Sequence, residues 1–384
     1  MRELDFFHDT VPDKILHEIS SSLPSGFICP RLRELNWLSY KHRVFNRIFV
    51  SSHLTKFTFT CRQSNIDALA GLASVMVELR TPSLQSLMIL APIPEDPILT
   101  NLKTALSSAI LRCGPSLTSI IVSMPLTDAA VRHIMQLPEL TSWGTGNAPP
   151  DVLDSSPLDT PPKLEYFSLR TVEALRWLPL FKANAHRPPS DQVTHSQRNR
   201  GPHQTLTTIE CGAPSRVDAA LVSSLMLFRG LRVLHLESIC STEDGCGFGL
   251  TDDGVGEMVS ALPNLYDLNL GDVCSVDSCK TTVASLLIIS TCCKGLKHLS
   301  IHFRTRDLLR DLEAMPNNPR LPRCTLKRLD VSRAPLEMEE GYERVAEVFL
   351  SIFPSIREVL WEEEEPGWEM IHKVICEKLK KLED

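Results

Sequence analysis

Pro263-Asn264-Leu265-Tyr266-Asp267-Leu268-Asn269-Leu270, with Gly249-Leu250-Thr251-Asp252-Asp253-Gly254-Val255 just before it, decides how this chain is read. Thr251 and the two aspartates have the chemistry of a helix N-terminus, where a side-chain oxygen takes up an unpaired amide and negative charge meets the positive end of the helix dipole. The helix runs to Leu262, Pro263 stops it, and Leu265-x-x-Leu268-x-Leu270 follows as a strand with apolar residues on one face. The pair is one supersecondary unit, and a single unit of this size cannot bury its own apolar face.

The frame recurs. Allowing aromatic or β-branched substitutes, Leu-x-x-Leu-x-Leu starts at Leu32, Leu54, Leu84, Leu117, Leu140, Leu164, Leu206, Leu231, Leu265, Leu296, Leu326 and Ile356. The starts are on average about 29 residues apart, at the long end of the range for leucine-rich repeats. The expected fold is therefore α/β: a leucine-rich-repeat solenoid of about twelve irregular repeats, horseshoe-shaped and ribonuclease-inhibitor-like, spanning residues 30–362. Frame leucines point into the coil, and the residues between them line the opposite face of a parallel sheet.

Thr251-Asp252-x-Gly254, Leu262-Pro263-Asn264-Leu265 and the downstream Cys274 resemble the cysteine-containing repeats of F-box/leucine-rich-repeat proteins of fungal type. Cys113-Gly114-Pro115-Ser116-Leu117, Leu126-Thr127-Asp128, Cys292-Cys293-Lys294-Gly295-Leu296 and Cys324-Thr325-Leu326 repeat parts of that pattern. Val11-Pro12-Asp13-Lys14-Ile15-Leu16-His17-Glu18-Ile19 similarly resembles the opening of an F-box. The resemblance implies that Pro12, Ile15, Leu16, Ile19 and Leu23 contact a ubiquitin-ligase adaptor, and that the protein is a substrate-recognition receptor of an SCF-type ligase. Lys14 departs from the family's Glu, and the motif's two further helices have no room before Leu32. Residues 1–29 are thus an F-box remnant or a helical cap on the first coil. The alternative function is a protein-interaction scaffold without a degradative role.

Composition bounds the remaining choices. A net charge of −7 lacks the basic footprint of a nucleic-acid binder. Twelve scattered cysteines look like those of a reduced protein rather than a small disulfide framework. No apolar leader, no run of 18 apolar residues and no Asn-x-Ser/Thr sequon is present, so the expected location is cytoplasmic or nuclear, with no membrane contact.

Two stretches break the period. Residues 147–162 carry five prolines and three aspartates, and residues 182–204 are polar and mildly basic; both are expected as loop insertions. Helices are expected near 65–79, 98–111, 217–228, 252–262, 281–292 and 339–353. The first should bury Ile66, Leu69, Ala70, Ala73 and Val77, and the second Leu102, Ala105, Leu106 and Ala109. Residues 363–384 are expected as a capping helix with Trp368, Ile371, Val374, Ile375 and Leu379 on its apolar side, covering the last strand.

No catalytic signature is present, and the expectation is a binding protein rather than an enzyme. Gly245-Cys246-Gly247-Phe248-Gly249 has neither dinucleotide nor Walker spacing, and Asp252 and Asp253 would repel phosphate. His235, Cys240, Cys246, Cys274 and Cys279 lie on consecutive coils without any Cys-x2-Cys pair, so neither metal nor cofactor is expected; such cysteines suit coil packing. The candidate site is instead the polar strip between the frame leucines: His235, Asp267, Asn269, His298, Ser300, Arg328, Asp330 and Glu358. It faces the expected concave side and a protein partner. In the N-terminal half Met88 and Ile121 make the same strip more apolar.

Overall fold

The computed structural model describes residues 3–7, 14–15, 18, 22, 29, 31–39, 51–61, 66–79, 82–91, 98–146, 163–169, 206–212, 217–237, 248–271, 279–305, 308–314, 324–332, 336, 341–361 and 366–383. The chain forms two compact units, Met1–Thr171 with Ala183–Thr205, and Val172–Lys182 with Leu206–Asp384. The two expected insertions lie outside the described residues.

In the first unit the described strands are β1 (Glu3–Phe7), β2 (Glu34–Ser39), β3 (Lys56–Cys61), β4 (Ser86–Leu90), β5 (Ser119–Val122), β6 (Ser142–Thr145) and β7 (Tyr166–Leu169). Each pairs in parallel with the next in sequence order. Helices α1 (Ile66–Glu78), α2 (Ile98–Arg112) and α3 (Asp128–Met135) return the chain between them. In the second unit β8 (Thr208–Cys211), β9 (Val233–Leu236), β10 (Asp267–Leu270), β11 (His298–Ile301), β12 (Arg328–Ser332) and β13 (Glu358–Trp361) repeat the parallel order. Its described helices are α4 (Ala219–Leu225), α5 (Asp252–Ala261), α6 (Ala284–Cys292), α7 (Leu308–Ala314), α8 (Tyr342–Ile352) and α9 (Pro366–Glu383). Strands in sequential parallel order with a helical return between them make this a leucine-rich-repeat solenoid fold.

All twelve frame starts precede a strand by two residues, for a reason visible in the backbone. Among the described residues, in eight of the twelve the amide of the frame residue bonds the carbonyl three residues back, as in Leu231 to Phe228 (2.9 Å), Leu296 to Cys293 (3.2 Å) and Ile356 to Phe353 (3.0 Å). The next two amides then share one carbonyl of the preceding coil: Tyr266 and Asp267 both donate to Arg232 O, at 2.7 and 3.0 Å. That fork starts the ladder and sets its register.

Along β8, β9, β10 and β11 burial alternates, with the frame residues inside. Leu231, Leu234, Leu265, Leu268, Leu296 and Leu326 are fully buried, each worth about 1.5–3 kcal/mol in transfer terms. The capping chemistry expected at Thr251 forms, its Oγ1 accepting from Gly254 N (3.3 Å), and the same device recurs unpredicted where Thr127 Oγ1 accepts from Ala130 N (3.4 Å) and Asp218 Oδ1 from Leu221 N (3.1 Å). Asp252 does further work across coils, where Oδ1 accepts from Thr282 N at 2.8 Å and Oδ2 from Thr282 Oγ1 at 2.7 Å.

Three expectations change. Strand β1 was not foreseen, although Met1-x-x-Leu4-x-Phe6 fits the frame once Met and Phe stand for leucine; Leu4 and Phe6 pair in register with Leu35 and Trp37. Helices α3 and α7 were also missed. In α1 the buried residues are Ala68, Leu69, Leu72, Val75 and Met76, whereas Ala70 is exposed, Ala73 half-buried and Val77 59% exposed. Of the face assigned from periodicity only Leu69 is seen in the core, because both faces of this helix are apolar; Ile66's burial lies outside the described residues. The α2 face is as read, with Leu102, Ala105, Leu106 and Ala109 buried. Trp368, Ile371 and Ile375 of α9 are buried, Val374 and Leu379 half-buried, and Trp368 stacks on Phe349 at 6.1 Å. The helix lies against the last strand, where Val359 N donates to His372 Nδ1 (3.4 Å).

Candidate functional site

On the outward sheet face of the second unit the strand register arranges side chains in two rows. One runs Thr208, Val233, Asp267, His298, Arg328, Glu358; the other runs Glu210, His235, Asn269, Ser300, Asp330, Leu360. All eight residues picked from sequence lie in these rows. The frame arithmetic also yields Glu210, two positions after Thr208 in the Leu206 coil, which the sequence reading did not include.

The rows are cross-linked by charge. His235 Nε2 lies 3.1 Å from Asp267 Oδ1, and His298 Nδ1 lies 3.3 Å from Asp267 Oδ2, so one carboxylate is held by two imidazoles from the strands on either side. His235 Nδ1 faces Glu210 Oε1 at 3.9 Å. Arg328 Nε donates to Glu358 Oε2 at 2.7 Å. The hydrogen bond to Asp267 raises the pKa of His235 above its ordinary value; burial works against this, and the charges of Asp267, Glu210 and Glu237 add to it. At Asp267 burial pushes the carboxyl up, but the bonds and charges of His235 and then His298 outweigh it, leaving it below its ordinary value. In its protonated form His235 is a cation between two carboxylates.

The remaining predicted residues are spread along the same face. Asn269 Oδ1 accepts from Gly271 N (3.1 Å) at a turn where Gly271 has φ +78°, so its amide serves the fold. Ser300 Oγ is buried without a hydrogen-bond partner among the described residues. Asp330 is half-buried beside it in register. Tyr266, 40% exposed, meets His298 edge-on at 5.6 Å and lies 5.9 Å from the Arg232 guanidinium. In the first unit Met88 and Ile121 are half-buried and adjacent in register.

Among the described residues no group of three or more His, Cys, Asp or Glu is placed to hold a metal ion. Cys279 Sγ lies 2.8 Å from Thr281 Oγ1 and 3.4 Å from His302 O; Cys240, Cys246 and Cys274 lie outside the described residues. Burial raises the thiol of Cys113 to about 11, and those of Cys211 and Cys293 to about 12. These thiols stay protonated and pack as small apolar groups. No described helix is long and apolar enough to cross a membrane.

No protein-family model matches the chain, and no curated protein matches it. Among solved structures it is similar to the leucine-rich-repeat-containing protein LegL7 of Legionella pneumophila, at 10% identity over 97% of each chain with a TM-score of 0.39. At that level the likeness carries no weight beside the strand register and burial described above.

Proposed function

We propose that this chain is a protein-recognition module that takes a partner on the polar sheet face of its second unit. The observation that carries the reading is the run Glu210, His235, Asp267, His298, in which partly exposed charged and imidazole groups cross four neighbouring strands at 3.1 to 3.9 Å. Short strands on a stacked scaffold hold such groups rigidly, which lowers the ordering cost of binding. Nothing in the run supplies a nucleophile beside a base, so recognition fits it better than catalysis.

The test is affinity capture with quantitative mass spectrometry from extracts of the source cells. The baits are wild type, the face variant Asp267→Arg/Arg328→Glu, and Glu257→Lys on the exposed side of α5 as control. A protein retained by wild type and control but lost from the face variant is the expected result. Identical recoveries from three folded baits would reduce the strip to a hydrated sheet face.

A second reading, the substrate receptor of an SCF-type ubiquitin ligase, is favoured by one observation. Ile15, a residue carried over from the F-box resemblance, is helical and 45% exposed. Pro12, Leu16, Ile19 and Leu23 lie outside the described residues. Co-elution of purified protein with the ligase adaptor, lost in Ile15→Asp/Leu16→Asp, is the result this reading requires. A folded wild type that elutes alone removes it and leaves a scaffold without a degradative link.

A further inference from the structure

Immediately before strands β9 to β13, at the position after each frame residue, stand Arg232, Tyr266, Lys297, Lys327 and Arg357. Backbone bonds put them on successive rungs: Tyr266 N to Arg232 O (2.7 Å), Lys297 N to Tyr266 O (2.8 Å), Lys327 N to Lys297 O (2.9 Å) and Arg357 N to Lys327 O (2.9 Å). Lys297 is half-buried and the other four are exposed. Four cations and one aromatic ring thus form a single file along the edge where the strands begin.

Three observations distinguish this file from ordinary surface charge. Among the described residues none of the four cations is in an ion pair. The nearest face carboxylates are engaged elsewhere, Asp267 by two histidines and Glu358 by Arg328. Like charges about 4.8 Å apart on adjacent strands repel each other, a cost that an anion lying along them would remove. Nor does the fold require cations here. In the first unit the same position holds Arg33, Thr55, Gln85, Thr118, Thr141 and Glu165, and its threonine hydroxyls donate to the preceding rung's carbonyl, as in Thr55 to Arg33 O (3.1 Å) and Thr118 to Gln85 O (3.0 Å).

We infer that this file is a docking strip for an extended acidic segment of a partner protein, an inference that rests on reading the second unit as a recognition surface. From Arg232 to Arg357 is four rungs, about 19 Å, which about six residues of extended chain would span. The strip is one side chain wide, suiting a single peptide strand. A phosphate backbone suits it less: Glu210, Asp267, Asp330 and Glu358 flank it, and Tyr266, its one ring, is already packed against Arg232 and His298.

The experiment measures fluorescence anisotropy of a labelled hexaglutamate peptide, a Gly/Ser hexapeptide and a single-stranded oligonucleotide against purified full-length protein. The proteins are wild type, Lys297→Glu/Lys327→Glu, its milder form Lys297→Gln/Lys327→Gln, and the charge-matched control Lys380→Gln/Lys381→Gln in the exposed last turn of α9, each checked for fold by circular dichroism. Expected is binding of hexaglutamate alone, weakening with salt, and weakened about tenfold or more by charge reversal, less by the glutamines, and not by Lys380→Gln/Lys381→Gln. Hexaglutamate binding no better than Gly/Ser, unchanged by reversal, or matched or exceeded by the oligonucleotide overturns the proposal. Capturing the cellular partner with the same variants separates the two readings. A partner lost from Asp267→Arg/Arg328→Glu but kept by the charge-reversed strip leaves the recognition face standing and refutes the strip alone.

Discussion

His235 lies between two carboxylates, and they decide its protonation. With its pKa raised by the bond to Asp267, its contribution to stability is complete below its unfolded value of about 6.5 and fades as pH rises through the folded value. Asp267, lowered on balance, contributes above about 3.8 and loses that contribution as pH falls through its folded value. Their mutual stabilisation is therefore greatest between roughly pH 4 and 6.5 and declines on the alkaline side. In Asp267→Asn the hydrogen bond and charge of the carboxylate are gone, and burial acts downward on His235 against Glu210 and Glu237 alone. Carbon-resolved NMR titration should find the His235 midpoint above the ordinary value in the wild type and lower in the variant, and melting should be less sensitive to pH 5.5 against pH 8 in the variant. An unchanged midpoint would mean that the pair does not form in solution. The sequence revealed that His235, Asp267 and His298 share a face, because side chains in a strand alternate. Which oxygen meets which ring was hidden: His235 stands opposite Asn269 in register yet bonds Asp267, two residues earlier on that strand. Such a diagonal depends on twist and rotamer, neither of which one chain's pattern encodes.

Elements were legible where pattern and punctuation agreed. Twelve strands were located because a buried frame residue stands two places before each, whatever fills the helix between, and in eight of them its amide bonds the carbonyl three residues back. Thr251 marked a helix start because a hydroxyl there satisfies an amide that nothing else can reach, and Thr127 and Asp218 do the same work without having been read as caps. Helix α1 shows where this fails. Ile66, Leu69, Ala70, Ala73 and Val77 are as well spaced as Ala68, Leu69, Leu72, Val75 and Met76, and only the neighbouring coil chooses between the two stripes. The choice has a measurable consequence. Leu72→Ala removes a fully buried side chain and should cost about 2–5 kcal/mol in denaturant unfolding, while Val77→Ala, on a side chain 59% exposed, should stay within about 0.5 kcal/mol. Equal costs would restore the face read from sequence.

Within each unit contacts run mainly between neighbouring coils, so disturbance at one end of the second unit should decay along its stack rather than unfold all of it at once. Trp368 makes this testable. Its fully buried ring packs edge-on against Phe303 at 6.2 Å and stacks on Phe349 at 6.1 Å, tying α9 to the coils of β11 and α8. Losing a buried Trp costs about 3–5 kcal/mol, a large share of what a domain has to spare. In Trp368→Ala, amides of β13 and α8 should therefore exchange with deuterium much faster, those of β9 and β10 less so, and those of β3 and β4 in the first unit at the wild-type rate. Such a gradient would show the second unit yielding from its C-terminal end, with α9 stabilising it by covering apolar surface on the last coil. Acceleration as large in β9 and β10 as in β13 would instead make the second unit one cooperative block, and the nearest-neighbour account of its stack would fail.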